Sequence, residues 1–109
     1  MPASTRSDLL QATLDMLILR TVALEPMHGF AIAKRIEQVS EDALRVEHGS
    51  LYPALYRLEE QGMLSADWGV TDNNRKAKYY KLTRRGQKQL DTELEHWRRL
   101  AAGVERVIA

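Results

Sequence analysis

Twice along this chain the apolar residues change their spacing, and the two changes enclose a single hairpin. Up to Gly62 they recur at helical intervals. Leu64, Ala66, Trp68 and Val70 then alternate in period two, as do residues 78–82, with Tyr80 and Leu82 on one face. Thr71-Asp72-Asn73-Asn74 between them is a turn cluster, so residues 64–82 read as a β-hairpin with a polar tip. From Thr83, a suitable N-cap, helical spacing resumes and runs toward the C-terminus for about 27 residues, roughly 40 Å at ~1.5 Å per residue.

Three helices precede the hairpin. The first has Ser7 or Asp8 as candidate cap and stops near Leu24, because Glu25 stands before Pro26 and is pushed out of the α region. Its apolar residues (Leu9, Leu10, Leu14, Met16, Leu17, Ile18, Leu19, Val22) cover most of the circumference, more than one core-facing stripe requires. The helix is therefore expected to be covered on two sides. A second helix spans about Gly29 to Val39, and residues 40–48 form a polar connection. The third is expected to open at Gly49-Ser50, with Ser50 as N-cap and Pro53 in the first turn, and to stop at Gly62. The order helix, helix, helix, hairpin, helix gives a mostly helical α+β fold. It is a winged helix-turn-helix of three helices and a two-stranded β-wing, followed by a C-terminal helix. At 109 residues the chain is one structural domain, divided into the winged part (1–83) and the last helix (84–109).

Several functions are disfavoured by what is missing from the sequence. Without cysteine there are no disulfides, thiolate nucleophiles, thiolate zinc sites or iron–sulfur clusters, which suits a cytoplasmic location. No apolar run approaches the ~20 residues of a membrane span, and no secretory signal pattern is present. His28, His48 and His96 have no metal-ligand spacing, and no phosphate-cradling glycine loop or nucleophile elbow occurs. Neither an enzyme nor a cofactor is expected.

The net charge of +1 conceals an asymmetry. Residues 75–88 hold Arg75, Lys76, Lys78, Lys81, Arg84, Arg85 and Lys88 with no acid, a local +7. Residues 59–74 hold Glu59, Glu60, Asp67 and Asp72 with no base, a local −4. A cationic hairpin edge suits the phosphates beside a groove, although a charged strand also discourages edge pairing. On the third helix, Leu51, Leu55 and Leu58 define a buried face, so Ser50, Pro53, Ala54, Arg57 and Gln61 are expected to point outward. Small residues near its start let the backbone approach a groove floor, and Arg57 and Gln61 have the reach for a base edge or phosphate. Arg57 has the alternative of pairing near Glu60. Tyr52 is assigned a phosphate contact and Tyr56 a packing role.

These residues also carry a resemblance. His28-Gly29-Phe30, the run Gly49-Ser50-Leu51-Tyr52-Pro53-Ala54-Leu55-Tyr56-Arg57-Leu58-Glu59, and Gln61-Gly62-Met63-Leu64 closely resemble the PadR family of bacterial transcriptional regulators. So does Lys78-Tyr79-Tyr80-Lys81-Leu82-Thr83 with Gly86 and Leu90, and the likeness extends over residues 9–109. The single last helix is similar to the compact subfamily. The resemblance implies a homodimeric repressor of double-stranded DNA, with the third helix in the major groove and the hairpin along the adjacent backbone or minor groove. Carried over by position, Ser50, Leu51 and Tyr52 open the recognition helix and Arg57 continues its exposed face. Lys34, Arg75, Lys76 and Lys78 become phosphate contacts. Phe30 stands where many members have tyrosine.

The last helix argues for a dimer independently. Leu90, Leu94, Trp97, Ala101, Val104 and Ile108 are spaced 4, 3, 4, 3, 4, an a/d seam widened by Leu100 and Val107. No later element is left to cover it, so a second protomer is the expected partner, and its operator should be a rough palindrome. Some compact members bind flat hydrophobic compounds between protomers against a tryptophan of this helix. Trp97 either takes that role, implying a small aromatic or hydrophobic effector, or simply fills the seam. The rival from another class is a winged helix used only as a protein-interaction module, without sequence-specific DNA binding.

Overall fold

The structure, a computed structural model, describes residues 3–109. Helix α1 (Ala3–Leu24) leads through a short strand β1 (Met27–His28) into α2 (Gly29–Val39) and α3 (His48–Glu60). Strands β2 (Leu64–Val70) and β3 (Lys76–Leu82) form the hairpin, and α4 (Arg84–Ile108) completes the described chain.

The core is assembled from every helix and the root of the hairpin. Ile18, Leu19, Ile32, Leu51, Leu55, Leu64 and Leu90 are fully buried, each such side chain contributing about 1.5–3 kcal/mol through removal from water. Helix α1 packs against α2, α3, β3 and α4, which accounts for the breadth of its apolar belt. The side chains of Leu9 and Leu10 lie outside the described residues. Helical backbone already begins at Ala3, so the expected caps Ser7 and Asp8 fall inside the helix.

The sheet has three strands rather than the expected two, all antiparallel in the order β1-β3-β2. Met27 pairs with Tyr80 and His28 with Tyr79, which ties the chain before α2 to the middle of the hairpin. Two residues are too few to show a period-two pattern, and their partner is about fifty positions away. His28 then caps α2, its Nδ1 accepting the Ala31 N–H at 3.3 Å.

Helix α3 starts two residues before the expected cap. The Glu37 carboxylate accepts the Val46 N–H at 2.9 Å and Val46 is buried, so the chain turns into the helix at Glu47, whose carbonyl accepts from Ser50 and Leu51. Ser50 is therefore the third helical residue and Pro53 the sixth, where proline removes the N–H that would reach the Gly49 carbonyl. At the other end, Thr83 caps α4 by accepting the Gly86 N–H at 3.0 Å. The same hydroxyl donates to the Gly62 carbonyl at 2.6 Å, pinning the start of α4 to the turn after α3.

Candidate nucleic-acid interface

The buried stripe of α3 consists of Leu51, Ala54, Leu55 and Leu58. Ala54 is thus corrected from the outward to the inward face, since it lies three residues after Leu51 and four before Leu58. Leu51 is likewise enclosed, so neither side chain is presented to a ligand. The surface of α3 is made instead by Gly49, Ser50, Tyr52, Pro53, Tyr56 and Glu60, with Gln61 just beyond its end. Tyr56, expected to pack inside, is 63% exposed and donates its hydroxyl to Glu60 Oε2 at 3.3 Å.

Arg57 does not extend the open face. One of its terminal nitrogens donates to both carboxylate oxygens of Asp15 at 2.6 Å, fastening α3 to α1 across a sequence separation of 42 residues. The pair is largely shielded, and burial holds the Asp15 carboxyl above its ordinary value of 3.8 even though Arg57 lowers it. The guanidinium thus makes a contact within the fold, to Asp15 on α1 rather than near Glu60.

A row of rings links α2 to the start of α3. Tyr52, 45% exposed, meets His48 edge-on at 5.7 Å, and His48 meets Phe30 edge-on at 6.1 Å. Lys34 lies 5.6 Å over the Phe30 ring. Gly29 makes this approach possible: a Cβ there would come within 2.7 Å of the Tyr52 ring. Phe30 and His48 were not assigned to the site from the sequence. Only the alternation of Phe30, Lys34 and Tyr52 on the surfaces of two adjoining helices signals them, and that requires knowing how the helices pack.

Opposite this row stands the hairpin tip. Thr71 and Arg75 close it, with the Thr71 N–H on the Arg75 carbonyl at 2.8 Å and the Arg75 N–H on Thr71 Oγ1 at 3.2 Å. Asn74 takes up the left-handed backbone the turn needs, at φ 62°. Between tip and helices runs an open groove of about 630 Å³, bounded by Phe30 and Tyr52 on one wall and by Arg75, Lys76 and Lys78 on the other. Arg75 and Lys76 are exposed. Lys78 lines the groove but turns its ammonium to Glu59 Oε1 at 2.8 Å, a hydrogen bond that raises its pKa above the ordinary lysine value.

Helix α4 divides into two parts. Leu90 is 1% exposed and Leu94 packs against the same core, so these two members of the seam are used within the chain itself. Ala101 is half-buried, whereas Trp97, Leu100, Val104, Val107 and Ile108 form an uncovered apolar face. Among the described residues no cluster of His, Asp and Glu is arranged to hold a metal ion, and no helix is long and apolar enough to cross a membrane.

Comparison with known proteins agrees with this geometry. The profile of the transcriptional regulator PadR-like family matches residues 18–92, from α1 to the first turns of α4. A transcriptional regulator of Mycobacterium tuberculosis is 32% identical over 94 residues, covering 86% of this chain and 84% of that protein. The crystal structure of a PadR family transcription regulator from Eggerthella lenta is similar with a TM-score of 0.75 at 31% identity, over 97% of this chain and 90% of that one. A transcriptional regulator from Clostridium thermocellum shares the fold with a TM-score of 0.83 at 22% identity, over 94% and 99% of the two chains. Matched over most of its length, with a helix pair and basic hairpin framing one groove, the chain belongs to the PadR-like family of DNA-binding transcriptional regulators, which are not enzymes.

Proposed function

We propose that the chain is a homodimeric repressor that reads a palindromic operator, with the exposed start of α3 in the major groove and the hairpin along the neighbouring backbone. The observation that carries this reading is the groove between Tyr52 and the Arg75–Lys76 segment, which combines a helix surface with cations that have no acidic partner among the described residues. Ser50 and Tyr52 face the bases or the nearest phosphates; Lys34, Arg75, Lys76 and Lys78 take phosphates; Leu51 and Ala54 hold the helix at its height. Residues 1–83 serve as the DNA-binding unit and residues 84–109 as the dimerisation helix, with Trp97, Ala101, Val104 and Ile108 facing the partner protomer. Two recognition helices related by a two-fold axis would read half-sites about 34–36 Å apart.

Release by a small hydrophobic effector fits the exposed apolar side chains of Trp97, Leu100 and Val104. Trp97 fluorescence in a Trp68→Phe background should then quench saturably with a planar aromatic compound, and the absence of saturation removes the effector from the scheme. The DNA reading is tested by incubating the purified protein with sheared genomic fragments at about 0.15 M salt and sequencing what is retained. Enrichment of a short inverted repeat is expected. Retention of no fragment above background favours a protein-interaction module instead.

A further inference from the structure

Of the cations that line the groove, Lys78 differs from Arg75 and Lys76 in one respect: its charge is already taken. Its Nζ sits 2.8 Å from Glu59 Oε1 and 5.9 Å from the centre of the Tyr80 ring, with about a third of each partner of the ion pair open to solvent. Glu59 projects from the last turn of α3, at the end of the helix away from Ser50 and Tyr52. Among the described residues Arg75 and Lys76 form no such pair. Resting on the DNA reading above, we propose that Glu59 competes with DNA phosphate for Lys78 and so sets the protein's affinity for duplex DNA.

The physical reasoning is an exchange. A lysine that meets a phosphate gains by releasing a condensed counterion, worth a slope of about 0.9 in log K against log salt per phosphate neutralised. Lys78 must first give up a carboxylate at contact distance, and Glu59, left uncompensated beside the backbone, then repels the same phosphate. Most of the gain from this one contact is cancelled. The loss applies to every sequence alike, because phosphates carry no sequence information. Residence on DNA then depends less on this lysine's charge and more on the fit of α3 in the groove. The acidic run of residues 59–74 acts in this view through one defined pair, and not only as a diffuse negative field.

Glu59→Gln keeps the side-chain volume and removes the charge. In a fluorescence-anisotropy titration with a short unrelated duplex, this variant should bind on the order of five- to tenfold more tightly at 0.1 M salt, with the salt slope steeper by about 0.9. Glu59→Ala, which makes no contact with Lys78, should give the same gain. In a Lys78→Ala background both changes should give a clearly smaller gain, limited to relief of the carboxylate's repulsion of phosphate, and should leave the salt slope unchanged. If the unmodified protein binds the duplex with a normal salt dependence and Glu59→Gln leaves affinity and slope unchanged, the competition is overturned. It is equally overturned if Glu59→Gln helps as much without Lys78 as with it, since the carboxylate then acts by general repulsion. Absence of salt-dependent binding by all the variants and the parent alike would instead overturn the DNA reading on which the proposal stands.

Discussion

At the scale of single residues, two ion pairs engage cations of α3 and the hairpin, Arg57 with Asp15 and Lys78 with Glu59. Arg57 and Asp15 make the tighter one, and its energetics are dominated by the shielding of the carboxylate rather than by the attraction. The folded Asp15 carboxyl keeps its proton to a higher pH than the unfolded one. This group therefore takes stability away as pH rises from 3.8 through its raised folded value, and returns it on acidification. Arg57→Ala removes both contacts that hold the value down. The Asp15 carboxyl, followed by carbon-13 NMR, should move further upward, and the variant should lose about 1–3 kcal/mol at pH 7. The loss should shrink at pH 3, where a neutral Asp15 needs no cation; equal losses at both pH values would count against the pin. Arg57 also shows where reading a sequence stops. Its place on the open face of an isolated helix was legible from the Leu51–Leu55–Leu58 stripe, but its partner lies 42 residues away on another helix, and no local pattern encodes that distance.

At the scale of elements, local chemistry was legible and junctions were not. The span of α2, the span of β2 and the Thr83 cap all follow from signals carried within a few residues: apolar spacing, strict alternation and a hydroxyl before a helix. The start of α3 was misplaced because Glu37, nine residues before Val46, decides where the chain turns. β1 was missed because its pairing is with β3, far along the chain. Ala54 was turned the wrong way because an alanine fits either face and carries little apolar signal of its own. The junction of α3, β2 and α4 yields a sharp expectation. A Cβ on Gly86 would stand 2.1 Å from the Met63 carbonyl oxygen and 2.7 Å from Leu82 Cδ1, and the carbonyl is backbone that also accepts the Thr83 N–H. Gly86→Ala should cost about 3 kcal/mol or more in chemical denaturation, despite alanine's better helix propensity. Thr83→Ala, which removes the cap and the bond to Gly62, should cost about 1–2 kcal/mol. If Gly86→Ala proves neutral, α4 is not clamped to the α3–β2 turn as its contacts indicate.

At the scale of the whole molecule, the division of α4 sets a core-packed half apart from a half that the proposed dimer would use. Its first three turns bury Leu90 and pack Leu94 against the core of the same chain, while Trp97 and the residues after it leave the domain behind. The principal extents of 50, 27 and 25 Å express this, with one long axis on an otherwise small domain. An apolar stripe from Trp97 to Ile108 facing water is costly for a single chain, and a second copy laid along it removes that cost without new elements. The two parts of the helix should therefore respond differently to mutation. Val104→Glu places a charge in the proposed seam and touches nothing in the core, so sedimentation velocity should show monomer and the far-ultraviolet circular dichroism should be retained. Such a monomer should bind a single half-site weakly and lose its preference for an inverted repeat. Leu90→Ala opens a cavity in the core and should cost about 2–5 kcal/mol of stability, with dimerisation weakened only as the domain itself unfolds. If Val104→Glu stays dimeric, the protomers meet through another surface. If it unfolds the domain, the outer half of α4 contributes to the fold of the single chain, and the division of α4 after Leu94 has no energetic meaning.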